Sequence, residues 1–440
     1  MRRSLSFLPK GLPPRSFCVS QYSRLAPSFS TSSRSTTSTE PDQYVPYYNA
    51  AVEPTFGYRP GGYHPIRIGD TFHGRYHVHH KLGHSGHSTS WLARDKTLSK
   101  YVAVKVGIAD SNNKGVEILS RLSRPIHGSD SRGRDMIISV LDHFNLDGPN
   151  GTHSCSVTIP ARTSLALLAG YRRSCYHLPV VRSLAAQMVI AVAYIHNQGI
   201  VHGGLDNLSR KELYGEYGFP VAGSFVRDDG NQLAPGDPNQ IYSPIFKNKA
   251  ITLPESKILI ADFGEAFCPA EEDRFESDTS FAYRPPEAYF EPKTPLSYPS
   301  DIWSLGCTIW EMSGSGRFLD GYHSLYDEEY NTRVQIDRLG PLPPEWSDGW
   351  ERPPDFFDDD GAVLEAPAEQ SWEQRFQETI RESMLMMGVG AFDEDESRAF
   401  QEMLKGMIVF RSGERLTAEQ VLNTRWMREY ALPEWEKIEK

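Results

Sequence analysis

The chain has 440 residues, with 46 Lys+Arg against 57 Asp+Glu and a formal net charge of −11. At ~150 residues per domain, that length predicts two to three domains. A content of 39% hydrophobic and 23% charged residues excludes a mostly disordered or collagen-like chain, and the acidic balance argues against nucleic acid as a direct partner, because phosphate backbones need a basic footprint. The cysteines Cys18, Cys155, Cys175, Cys268 and Cys307 stand far apart without CxxC spacing. Neither a disulfide framework nor a zinc site is expected, and a reducing compartment is. No apolar run approaches the ~20 residues of a membrane span. The longest, Ala185 to Ile195, contains Gln187 and reads as a buried core helix.

In chain order, residues 1–39 carry Arg2, Arg3, Lys10, Arg15, Arg24 and Arg34, no acid, and 15 Ser or Thr. Arg-rich, Ser-rich and acid-free is the composition of a mitochondrial transit peptide, with a disordered tail as the alternative. Without this segment the basic count falls from 46 to 40 against 57 acids, a net of −17, which suits a basic peptide partner. Residues 40–70 are rich in Tyr, Pro and Gly and read as an irregular N-terminal arm. RYHVHHKL, HSTSWLARD, YVAVKVGI, IISVLDHFNL and SCSVTIP read as strands, from alternation or β-branched runs. Asn113 to Leu122 has helical spacing, with Val116, Leu119 and Leu122 on one side. From Leu178 onward helical patterns dominate. The class expected is α+β in two lobes, a β-rich small lobe over 71–160 and a helical large lobe over 161–430. Surface insertions are expected near 209–256 and 341–395, the second holding the acidic run DFFDDDG. Thr417 and Gln420 form a capping-box signature ahead of an apolar helix face.

The strongest chemical signal is ILIADFGEAF at 258–267. A carboxylate delivered by a strand end and freed by a Gly turn, here Asp262, can hold Mg²⁺ against triphosphate oxygens. Lys105, in VAVK, offers a point charge for nucleotide phosphates. Glu117, on the next helix, can pair with that lysine and hold it. FAYRPPEA supplies Glu287, SDIWSLGCTIWEM follows at 300–312, and Arg415 lies in FRSGERLTAEQVL. Five histidines, His77, His79, His80, His84 and His87, have no carboxylate or Cys at ligand spacing and do not read as a zinc site.

This ordered set resembles the eukaryotic protein kinases over about residues 58–430. More closely it resembles the fungal branch of the SR-protein kinase (SRPK) type. YRPGGYHPIRIGD, ADFGEAF, AYRPPEAYFEP, PLSYPSDIWSLGCTIWE and IDRLGPLPPEW carry the likeness. The resemblance implies a bilobal protein-kinase-like fold, ATP and Mg²⁺ as cofactors, and phosphotransfer to Ser or Thr in Arg-rich protein segments. It implies nucleotide contacts from Leu82, Gly83, Gly86, Ser88, Ala103, Lys105 and Glu117, and a metal ligand at Asp262. Structural roles fall to Asp301 and to a buried Glu287–Arg415 ion pair. The family's usual location, cytoplasm and nucleus, competes with the mitochondrial address.

The chain departs from the family pattern at two loops. The glycine loop, Gly83 to Ser90, has Ser85 where a second glycine belongs, His87 for an aromatic and Ser90 for Val. The catalytic loop reads GIVHGGLDNLSRKELYGEYGFP, with Gly204 where the pattern places the Asp that takes the substrate proton. Asp206 and Asn207 are the alternative base and metal ligand. Otherwise they belong to a later segment, and the family's Asp and Asn are absent, as in a pseudokinase that binds nucleotide or peptide without transferring phosphate. Thr279, between DFG and APE, is a candidate phosphosite, although Gly203 removes the Arg that would read its phosphate.

Overall fold

A computed structural model describes residues 52–439 apart from 112–113, 125–131, 165–174, 206–208, 212–221, 226, 228–231, 245–250, 320–327 and 351–371. The N-terminal segment 1–39 and the acidic run at 358–360 lie outside the described residues.

Six antiparallel strands form the small lobe: β1 (Thr71–Phe72), β2 (Tyr76–Ser85), β3 (Ser88–Asp95), β4 (Lys100–Gly107), β5 (Val140–Gly148) and β6 (Gly151–Thr158), in the order β1-β2-β3-β4-β6-β5. Period-two alternation sets the two faces of β4. Val102, Val104 and Val106 are buried, whereas Ala103 and Lys105 are half-buried on the other face. The apolar face packs with Tyr76, Trp91, Phe144 and Val157 into one core. Helix α1 (Lys114–Leu122) follows β4 and buries Ile118, Leu119 and Leu122. Ile118 thus takes the inward place expected of Val116, which is half-buried.

The large lobe is built on α2 (Leu178–Asn197), buried along most of its length. By length and apolarity α2 could cross a membrane, yet 89% of its most apolar window lies inside the protein. A helix apolar all round belongs to a core. Against it pack α3 (Tyr298–Ser313) and the segment Ala418–Leu422, and α4 (Glu394–Met407) packs on α3. Thr417 and Gln420 make both capping-box bonds at the start of Ala418–Leu422. The β-rich front and helical back give the bilobal α+β architecture expected from the sequence.

Both expected insertions differ from surface loops where they are described. The pair β9 (Ala222–Ser224) and β10 (Gln240–Tyr242), with β7 (Ala161–Ser164) and β8 (Ser209–Lys211) preceding them, returns to the small lobe. There Tyr242 packs edge-on against Trp91 at 5.9 Å, and Phe225 against Tyr58 of the N-terminal arm at 5.7 Å. In the 341–395 stretch Trp346, Phe376, Ile380, Met384 and Phe392 are buried. Large apolar side chains scattered among acids and prolines carry no clear period. The local composition therefore reads polar, while burial of those few rings dominates the energetics.

Candidate active site

The β2–β3 hairpin forms the glycine loop, with Gly83 opposite Ser90, His84 opposite Thr89 and Ser85 opposite Ser88. Its turn residues Gly86 and His87 are exposed, Leu82 and Gly83 are half-buried, and Ser88 is buried. Ser85 makes the loop self-braced. Its hydroxyl lies 2.9 Å from that of Ser88 and accepts from the His87 N–H at 3.3 Å. Its carbonyl accepts from the Tyr63 hydroxyl at 2.8 Å, so the N-terminal arm holds the loop from behind. One amide that could face a phosphate is already engaged.

Across the cleft, β11 (Ile258–Leu259) leads through Ile260 to Asp262, which has the left-handed backbone φ 68°, ψ 58°. Lys105 and Asp262, 157 residues apart in sequence, form a direct ion pair. The lysine charge holds the Asp262 carboxyl below the usual carboxylate range. The expected Lys105–Glu117 pair is not formed, because Glu117 is exposed on α1. Other bonds set the helix: Lys114 pairs with Glu272, and Arg121 pairs with Glu271 at 2.8 Å and reaches the Cys268 sulfur at 3.8 Å. With Ile118, Leu119 and Leu122 turned inward, Glu117 falls on the solvent flank. Ala103 lies two residues before Lys105 on the same face of β4.

Asp301, near the start of α3, is buried and organises the catalytic loop. It accepts from the backbone N–H of His202 at 2.7 Å, from that of Gly203 at 3.0 Å and from His196 at 3.0 Å. Burial pushes its carboxyl up, but these bonds outweigh that and hold it low. His202 stacks edge-on against Phe263 at 4.6 Å. Gly203 has φ +78°, and a Cβ there would lie 2.5 Å from the Glu265 carbonyl, so the position demands glycine. Gly204, where the family pattern places its proton-accepting Asp, carries no side chain. Asp206 and Asn207 lie outside the described residues. Thr279 is 4% exposed and donates to the Gly203 carbonyl at 2.9 Å. This corrects the phosphosite expectation, since the hydroxyl is enclosed and already bonded.

Below the cleft Arg415 donates to both carboxylate oxygens of Glu287 at 2.8 and 2.6 Å, and to the carbonyls of Pro299, Val409 and Phe410. Its guanidinium also stacks over Trp303 at 5.0 Å. Every donor is satisfied in a dry site, which is the condition for a buried ion pair to be tolerated.

Sequence reasoning passed over Tyr63, Lys114, Arg121 and Glu265. For Glu265 a signal was present, an acid directly after Asp-Phe-Gly. For the others there was none, since their partners are far along the chain.

Residues 246–427 match the protein kinase domain family. The chain is 24% identical over 384 residues to a serine/threonine protein kinase of Aspergillus fumigatus, covering 83% of this chain and 88% of that protein. It is 26% identical over 322 residues to the serine/threonine-protein kinase SRPK of Physarum polycephalum, covering 67% and 74%. It is 38% identical over 154 residues to protein kinase dsk1 of Schizosaccharomyces pombe, covering 34% and 28%.

Proposed function

This chain carries a protein kinase domain and is SR-protein-kinase-like, and from that premise we propose that it transfers the γ-phosphate of ATP to Ser or Thr in Arg-rich protein segments. The observation that carries the reading is the meeting of Lys105 and Asp262 under the glycine loop. Asp262 fits a metal ligand: it is a half-exposed carboxylate at a strand end, kept ionised by its neighbour. Mg²⁺ bound there would neutralise phosphate charge. Lys105 would supply positive charge to the phosphates, and Ala103 with Leu82, Gly83, Gly86 and Ser88 of the loop would hold the nucleotide. Asp301 holds the backbone of the catalytic loop at Gly203, beside the vacant base position. The acidic surface left by 57 Asp+Glu favours a basic Arg/Ser-rich partner.

The second reading, a nucleotide-binding pseudokinase, is favoured by Gly204 at the base position. The test is γ-labelled ATP with Mg²⁺ and an Arg/Ser peptide, on the wild type and Lys105→Met. Label on the peptide that Lys105→Met abolishes supports transfer. An ATP-dependent rise in melting temperature with no label supports the binding module. For location, cytoplasm and nucleus follow the family likeness and the mitochondrion follows residues 1–39. A fluorescent fusion of residues 1–45 that stays diffuse excludes the mitochondrial address.

A further inference from the structure

The turn of the glycine loop, Gly86 and His87, is exposed. A hairpin of this kind keeps one position over a nucleotide only if contacts outside the turn fix it. We infer that the N-terminal arm does so: Glu53 and Tyr63 grip β2 on either side of Leu82, Gly83 and His84, and act as positioning residues that set the affinity for ATP. The inference rests on the nucleotide-binding part of the reading above. It holds whether or not phosphate is then transferred.

The first grip is a buried ion pair. The Lys81 ammonium meets the Glu53 carboxylate, and the two side chains are 0% and 1% exposed. The Tyr58 hydroxyl donates to the other oxygen of Glu53, and the ammonium lies 5.7 Å from the centre of the Trp91 ring. A charge this dry is tolerated only while its partner is in place, so Lys81 ties β2 to the arm. The tie falls at a decisive point. Lys81 pairs with Trp91 and Gly83 with Ser90, which leaves Leu82 as an extra residue, a bulge at the entrance to the loop. A bulge bends its strand and re-aims the side chains beside it. Fixing the residue in front of the bulge fixes the direction the loop takes.

The second grip lies at the far end of the strand. The Tyr63 hydroxyl donates at 2.8 Å to the carbonyl of Ser85, the last residue of β2. Tyr63 is buried, and its ring packs with Tyr58 and Phe225.

The arm is itself fastened to the central sheet. The Gly61 N–H donates to the Asn150 carbonyl at 2.8 Å, and the Asn150 side-chain amide donates to the Tyr63 carbonyl at 2.7 Å. The Gly62 carbonyl accepts from the Ala109 N–H at 3.1 Å. Asn150 sits in the β5–β6 turn, and Ala109 lies just after β4, the strand of Lys105. The arm thus links the loop to the frame that carries Lys105. A loop already in place loses less freedom when it closes on a ligand, and binding is tighter for it. The coupling is reciprocal: what the arm adds to ATP binding, ATP adds to the hold of the arm.

The experiment measures the dissociation constant of Mg-ATP by calorimetry, and the melting temperature without nucleotide, on the full chain and on Tyr63→Phe. That variant loses the hydroxyl and keeps the ring. ATP binding is expected to weaken about two- to tenfold, the worth of one hydrogen bond. A Tyr63→Phe variant that melts lower yet binds ATP like the wild type has lost only a structural bond, and overturns the inference. In parallel, hydrogen exchange of the Gly61 and Tyr63 amides is followed in the wild type and is expected to slow when ATP is added. Unchanged exchange at saturating ATP overturns the inference even if Tyr63→Phe does not fold. A wild type that binds no ATP overturns the nucleotide reading together with the inference, whereas wild-type binding that Tyr63→Phe leaves unaltered overturns the inference alone.

Discussion

Arg415 spends its donors on Glu287 and three backbone carbonyls, and both charged side chains are almost completely out of water. Removing one member of such a pair strands the other's charge in a dry site, which costs about 3–5 kcal/mol. Arg415→Ala is therefore expected to lower the unfolding free energy by that order, read by denaturant titration, and a loss below about 1 kcal/mol would mean the site is wetter than it looks. Ser85 is the opposite kind of residue, one whose bonds compete with a ligand. Its hydroxyl occupies the His87 amide. Ser85→Gly is expected to tighten ATP binding by about two- to tenfold, the worth of one freed hydrogen bond, as measured by calorimetry; unchanged affinity would show that this amide does not reach the phosphates. Glu287 and Arg415 could be named from their motifs, whereas the bracing of Ser85 by Tyr63 could not, since 22 residues separate them.

At the level of elements, α1 is tied to the turn at 268–272 rather than to Lys105. Lys114–Glu272 and Arg121–Glu271 join it to the chain just after the Asp-Phe-Gly turn, and Gly115 packs closely against the Phe263 carbonyl. Ion pairs at or near the surface, as these are, contribute roughly 0–1 kcal/mol each, so their effect is on where the helix sits more than on global stability. A Glu271→Lys/Glu272→Lys double variant is expected to speed hydrogen exchange of the α1 amides while the global midpoint stays nearly unchanged. Unaltered exchange would mean that the apolar face of α1 alone positions it. The helix itself was legible in its spacing. Its tilt was not, because Ile118 and Val116 are equally apolar and only packing against the large lobe chooses between them.

For the molecule as a whole, the N-terminal arm and the β9–β10 pair converge on the small lobe, with Tyr58, Tyr63 and Phe225 in one cluster. Beside them His64 meets His153 at 4.8 Å between ring centres. Burial first, and then His153, lower the His64 pKa to about 4. The unfolded chain, with an ordinary His value of ~6.5, binds that proton first. Stability is thus expected to fall as pH drops from about 6.5 towards 4, seen as a falling melting temperature. His64→Phe, which cannot take the proton, should show a shallower fall over the same window; equal slopes would place the acid sensitivity elsewhere.

The strand alternation of β4, the all-apolar α2, the capping box at Thr417 and the ordered motifs around Lys105, Asp262, Glu287 and Arg415 are properties of short stretches, and the sequence by itself determined them. Periodicity and local bonding act over a few residues, so they are written where they act. Which partner each charge takes was decided only by the tertiary structure. Lys105 chooses Asp262 over Glu117, Asp301 chooses the backbone of His202 and Gly203, and Tyr242 leaves a polar stretch to cover Trp91. Ion pairing and burial depend on distances through space, and those exist only once the two lobes have packed.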